Sequence, residues 1–145
     1  LSSVARVRRA IFARHCNPCS AWTRWASTPL VLVPMWTRRW SDAAVIALWL
    51  VLNPVVFGKP KHHRAWATRA MLGEELWITE RPADAAMLVS AVTSAVSLSA
   101  VIAARRRRLK PAVVATALQM TLTMVYWAQM VRYLDRRRGG DPQPQ

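Results

Sequence analysis

The sequence predicts an all-α integral membrane protein: a helical bundle of about four transmembrane helices arranged as two hairpins, with a short interfacial amphipathic helix between them. Three observations lead there. Residues 85–104 and 112–131 are each twenty residues long and carry no charged side chain. Four consecutive arginines, Arg105–Arg108, lie between them. The chain of 145 residues is 53% hydrophobic and yet holds 21 Lys and Arg against 7 acids, a net charge of +14, with the bases gathered outside the apolar runs. Charges at the ends of apolar stretches are the membrane pattern. A nucleic-acid-binding domain would interleave them with polar spacers on a folded face, so no nucleic-acid partner is expected. Anionic lipid headgroups are the expected counter-charge.

Residues 1–135 read as a single transmembrane domain. No signal-peptide pattern is expected at its start, because Arg6, Arg8, Arg9 and Arg14 are followed by no uninterrupted apolar core before Arg24. The first span, about 21–37, is the least regular. Its apolar part, Trp25–Thr37, gives only about 20 Å of helix and contains Pro29 and Pro34. It spans if it extends back past Arg24, and is otherwise re-entrant or interfacial. Arg38, Arg39 and Asp42 mark a turn, and 43–57 follows as a second apolar span with Asn53-Pro54 near its end.

The middle region opens with the loop GKPKHHR. A helix over about 66–78 places Trp66, Ala70, Gly73 and Trp77 on one face, and tryptophan at both ends fits the headgroup level. Arg81-Pro82 ends it. The spans 85–104 and 112–134 form the second hairpin; each reaches roughly 30 Å, the thickness of bilayer hydrocarbon. Residues 136–145 read as a basic, polar, disordered tail.

Small residues in 85–104 form two rows at four-residue spacing, Ala86, Ser90, Ser94 and Ala91, Ala95, Ser99, Ala103. Such rows let membrane helices approach closely. Trp22, Trp25, Trp36, Trp40, Trp66 and Trp77 fall near span ends or in loops, as an aromatic belt would, whereas Trp49 and Trp127 suit core packing. With four spans, the side carrying both termini holds fourteen bases and the other seven. The positive-inside tendency then puts both termini in the cytoplasm, although the arginine run resists translocation.

Chemistry-bearing residues are few. Cys16 and Cys19 form a lone C-x-x-C with no second Cys pair, and a four-ligand zinc site would need His15 with His62 or His63 to complete a Cys2His2 set. His15, His62, His63 and Glu74 are the available ligands for iron, zinc or manganese if the middle loop folds back on the N-terminal segment. They are too few for a desaturase-like di-iron centre. Glu74 borders the apolar face of its helix and needs a partner such as Arg24, Arg69 or a histidine. In the last span Gln119, Thr123 and Trp127 share one face, suited to interhelical bonding or to lining a small site. No phosphate-binding glycine loop, nucleophile elbow or H-E-x-x-H motif is present.

The string H-C-N-P-C-S-A-W-T-R, His15–Arg24, resembles the H-x-N-P-x-S-x-W-T-R signature of a prokaryotic family of small membrane proteins of unknown function. N-P-x-x-F at Asn53–Phe57 and W-A-x-R-A-x-L-G-E-x-x-W at Trp66–Trp77 are similar to that family's later segments, so the likeness covers about 14–80. Cys19 departs from it, an aromatic residue being usual there. The resemblance implies a multi-pass protein of the prokaryotic inner membrane and supplies no activity. It directs attention to His15, Asn17, Ser20, Thr23, Arg24, Asn53 and Glu74 as a polar cluster at one membrane face. The expectation is an accessory or interaction subunit, packing with itself as a homo-oligomer or with a larger membrane complex and needing no known cofactor. The alternatives are a metal- or lipid-dependent membrane enzyme using the His/Glu cluster, and a small transporter or channel subunit.

Overall fold

A computed structural model describes residues 13–80 and 82–140. Arg6, Arg8 and Arg9, and 141–145 of the expected tail, lie outside the described residues. The described residues form helices α1 (Pro18–Ala26), α2 (Val33–Thr37), α3 (Trp40–Phe57), α4 (Trp66–Glu80), α5 (Ala85–Arg105) and α6 (Leu109–Gly140), with a 3₁₀ turn at Thr28–Leu32 between α1 and α2. No strand occurs among them.

The expected first span is not one helix. Pro29 and Pro34 each sit in the first turn of a new piece, where a missing N–H costs nothing, and so the segment breaks into α1, the 3₁₀ turn and α2. The broken segment nonetheless runs antiparallel along α6. Trp22 meets Trp127 at 5.7 Å between ring centroids. Further along, the Trp25 indole N–H donates to the Met120 carbonyl at 3.2 Å. Met35 and Trp36 pack on Ala103, Ala104 and Ala112 at the far end. The same segment is laced to α3 in antiparallel register. Asn17 bonds the Phe57 carbonyl, Ser20 and Thr23 bond Asn53, the Trp49 N–H reaches Ser27, and Thr37 bonds Asp42. This is the first hairpin, held by hydrogen bonds where its helix is interrupted.

Helices α3, α5 and α6 are long and apolar enough to cross a membrane. At 18 and 21 residues α3 and α5 are about 27 and 31 Å long. Large apolar side chains on them face outward: Val51 is 70% exposed, and Val45, Leu48, Val55, Val56, Leu88 and Leu98 are exposed too. Such apolar faces are compatible with a lipid surrounding.

Asp84 starts α5 by accepting from the amides of Ala86 and Met87 at 3.0 and 3.2 Å. At the other end the Arg107 N–H bonds the Ala104 carbonyl and the Arg108 N–H the Ala103 carbonyl, both at 2.9 Å. That is a Schellman turn with Arg107 at φ +54°, where glycine is usual. The contact line of α5 differs from the expected rows. Ala86, Ala100, Ala103 and Ala104 are buried, but Ala91, Ser94, Ala95 and Ser99 are exposed. A strict four-residue row drifts about 40° round the helix per step, so the seam follows mixed three- and four-residue steps instead. The exposed Ser94 and Ser99 hydroxyls donate to the carbonyls of Ser90 and Ala95 on their own helix, each at 2.9 Å.

Helix α4 crosses α6 at Gly73. A Cβ added to Gly73 would lie 2.1 Å from the Met130 carbonyl oxygen, so only glycine admits this backbone approach. Ala67, Ala70 and Met71 are buried beside it. The face expected to meet headgroups therefore meets α6. Trp22 and Trp66 stack at 6.0 Å, Trp66 lies 6.1 Å from Trp127, and Trp77 stands edge-on to Tyr126 at 6.1 Å. Trp22 and Trp66, expected in a belt, thus pack around Trp127, which is buried, whereas Trp40 is 90% exposed. The expected tail also begins as helix. α6 continues through Arg136–Arg138 to Gly140, where Arg137 pairs with Glu80 and lies over the Tyr133 ring.

Candidate functional site

The three segments that carry the sequence likeness meet at one end of the bundle, around α1. Asn17 organises the junction. Its Oδ1 accepts from the amides of Cys19 at 2.9 Å and Ser20 at 3.5 Å, which caps the open N-terminus of α1. Its Nδ2 donates at 2.8 Å to the carbonyl of Phe57, one of the last in α3. One side-chain amide thus serves a helix start and a helix end.

Beneath it, Ser20 and Asn53 are fully buried. The Ser20 hydroxyl donates to Asn53 Oδ1 at 2.6 Å, and Asn53 Nδ2 donates to Thr23 Oγ1 at 2.8 Å. Thr23 donates in turn to the Cys19 carbonyl at 2.7 Å. Arg24 reaches back along α1, with Nε to the Ser20 carbonyl and Nη2 to the His15 carbonyl, both 3.2 Å. On the opposite flank the buried Thr68 hydroxyl of α4 donates to the Cys16 carbonyl at 2.6 Å. The Ser20–Asn53 and Thr68–Cys16 bonds are buried, where an unpaired partner would cost about 1–3 kcal/mol.

Glu74 lies on the α4 flank and accepts from the Tyr126 hydroxyl at 3.3 Å. Burial pushes its carboxyl above the ordinary carboxylate value, opposed by the Tyr126 bond and the positive field of Arg24. Of its expected partners, Arg24 acts at a distance, and Arg69 instead pairs with Asp135 at 2.5 Å. The Cys16 thiol is buried and pushed up to about 11, chiefly by that burial and then by the charge of Glu75. Cys19 is exposed. The C-x-x-C therefore faces two environments and forms no common ligand pair.

Hydrogen bonds join Asn17, Ser20, Thr23, Arg24 and Asn53, the His15 carbonyl accepts from Arg24, and Glu74 lies within the field of Arg24. His62 and His63 are exposed in the loop before α4. Among the described residues no three His, Cys, Asp or Glu side chains are grouped to hold a metal ion. Thr123 donates to the Gln119 carbonyl of its own helix at 2.9 Å, while Gln119 lines a cleft of about 190 Å³ with Arg24, Thr28 and Ser97. Trp127 belongs to the aromatic core. Sequence reasoning missed Thr68 and the pairing of Tyr126 with Glu74, because the partners lie 52 residues away in each case. No curated protein and no solved structure matches the chain. A family model matches residues 6–101, a span holding α1 to α4 and most of α5, and the chain belongs to that family of unknown function (DUF6653).

Proposed function

We propose that the chain is a four-pass protein of the prokaryotic inner membrane with both termini cytoplasmic, acting as an accessory subunit that packs with itself or with a larger membrane complex. The observation behind this reading is how the polar groups of the junction are used. Asn17, Ser20, Thr23 and Asn53 spend their hydrogen bonds on one another and on backbone, holding a proline-broken span in place. A catalytic centre instead keeps donors or acceptors aimed at an open position. The outward apolar faces of α3 and α5 remain for lipid or for neighbouring helices.

Purification in mild detergent, with crosslinking of native membranes beforehand, tests it. Discrete adducts with a second copy or with another membrane protein are expected. A lone monomer in both experiments would overturn the accessory reading. A second reading, a small transporter, has the Gln119–Arg24 cleft behind it. On that reading replacing Gln119 and Thr123 by apolar residues abolishes solute flux in liposomes, and unchanged flux removes it.

A further inference from the structure

The end of the bundle opposite the polar junction is built differently. Two segments meet there, Thr37–Ala43 and Arg105–Pro111, and carry seven bases: Arg38, Arg39, the four arginines of the turn, and Lys110. Asp42 is the one carboxylate in them, and it accepts from the Thr37 and Ser41 hydroxyls. Arg38 Nη2 donates to the Arg105 carbonyl at 3.2 Å, which draws the two basic turns together. Arg38, Arg39 and Arg105 line a notch of about 290 Å³ beside Trp40.

Next to the notch lies an almost wholly apolar groove of about 380 Å³, between the 3₁₀–α2 segment and the α5–α6 hairpin. Pro29, Leu32, Trp36, Ala104, Leu109 and Val113 line it. Its wall passes from Ala104 to Leu109, and the residues between those two are Arg105–Arg108. The arginine turn therefore borders one end of an apolar groove without lining it.

The backbone adds an independent observation. Among the described residues, the positive-φ non-glycine residues are Arg38 (+60°) and Arg107 (+54°), one on each basic turn. A left-handed conformation costs a non-glycine residue roughly 1 kcal/mol that glycine avoids. Arginine occupies both positions, which puts a charged side chain where the backbone favours glycine.

We propose that this end binds one anionic phospholipid, its phosphate held by the arginine turn and Arg38 and one acyl chain lying in the groove against Trp36. The proposal rests on the membrane reading above and adds a defined lipid site to it. A phosphate offers the oxygen acceptors that several guanidinium groups can share, and a zwitterionic headgroup cancels that attraction with its own ammonium.

The test uses the purified full chain in vesicles of phosphatidylcholine, with either phosphatidylglycerol or phosphatidylcholine brominated in the acyl chain as quencher of tryptophan fluorescence. Brominated phosphatidylglycerol is expected to quench more strongly than brominated phosphatidylcholine at equal fraction. The excess is expected to vanish in Trp36→Phe, and each of Arg106→Gln and Arg107→Gln is expected to weaken the lipid preference roughly fivefold. Arg136→Gln, at the other end of the bundle, serves as control and leaves the excess intact. Equal quenching by the two lipids, or an excess that survives Trp36→Phe, overturns the site while the membrane reading stands. Loss of the excess on adding inorganic phosphate, but not chloride at matched ionic strength, overturns it in favour of a free-anion site. Absence of quenching by either lipid overturns the membrane reading itself.

Discussion

Replacing Gly73 by alanine adds one methyl group at the crossing of α4 and α6. Its Cβ would stand 2.1 Å from the Met130 carbonyl oxygen, 2.7 Å from the carbonyl carbon and 3.3 Å from Cα, and ordinary contact begins near 3.4 Å. The two backbones must then part by about 1.3 Å, the difference between 3.4 and 2.1 Å. The obstacle is main chain, so no rotamer change relieves it. Parting the helices loosens Ala70, the Trp66–Trp127 and Trp77–Tyr126 ring contacts and the Tyr126–Glu74 bond. Overpacking costs about 1–3 kcal/mol, and the higher helix propensity of alanine returns roughly 1 kcal/mol. Because the clash is with main chain, the cost falls in the upper part of that range, about 2–3 kcal/mol, and a net loss of about 1–2 kcal/mol follows at Gly73. Gly139 is the control, because nothing lies within 4 Å of its added Cβ and only the propensity gain applies. Thermal unfolding in detergent, followed by tryptophan fluorescence, reads both variants. The apparent Tm is expected to fall for Gly73→Ala and to hold or rise for Gly139→Ala. Equal stability of Gly73→Ala and the parent would refute a close crossing there.

Further expectations concern the junction and the turn. Asn53→Leu removes the shared partner of Ser20 and Thr23 and is expected to destabilise by about 1–3 kcal/mol in the same unfolding assay; an unchanged Tm would mean that the buried bonds hold nothing. Maleimide near pH 8 is expected to label Cys19 quickly and Cys16 only on unfolding, because Cys16 is buried and its thiol is pushed up to about 11; rapid labelling of a Cys19→Ser variant would contradict its burial. The native carboxyl of Glu74 binds its proton more tightly than the unfolded one, so stability falls as pH rises from the ordinary carboxylate value through the raised native one. Glu74→Gln keeps an acceptor for Tyr126 without the charge, and its Tm is expected to exceed that of the parent near neutral pH and to approach it at about pH 4.5; a pH-independent difference would sink that account. Arg107→Gly relieves the left-handed residue of the Schellman turn and is expected to gain up to about 1 kcal/mol, read again as a rise in Tm.

Much of this architecture was legible in the sequence, for a physical reason. The hairpin of α5 and α6 is written in local terms, two uncharged runs and a charged turn, and the observed helices begin and end within a few residues of those runs except where α6 continues past 134. That continuation depends on a tertiary pairing of Arg137 with Glu80, which no local pattern reports. The break in the first span was visible as Pro29 and Pro34, but its course along α6 depends on the distant partners Met120 and Trp127. Asn17, Ser20, Thr23 and Asn53 could be named because they stand in the motifs that carry the family resemblance. Which atom bonds which could not, since the Phe57 carbonyl leaves no trace in its own side chain. Gly73 stood on the right face of α4 without showing that its missing Cβ is the point of contact.

The central claim is that α3, α5 and α6 lie in lipid along their outward faces, and accessibility of spin labels there tests it most directly. Single labels at Leu48, Leu98 and Val114, on a background with both cysteines replaced by serine, are measured in bilayers by relaxation with oxygen and with a water-soluble nickel complex. All three positions are exposed on the protein surface. The account predicts strong relaxation by oxygen and little by nickel at every one of them. Strong relaxation by the nickel complex at these positions would place the apolar faces in water and contradict the account.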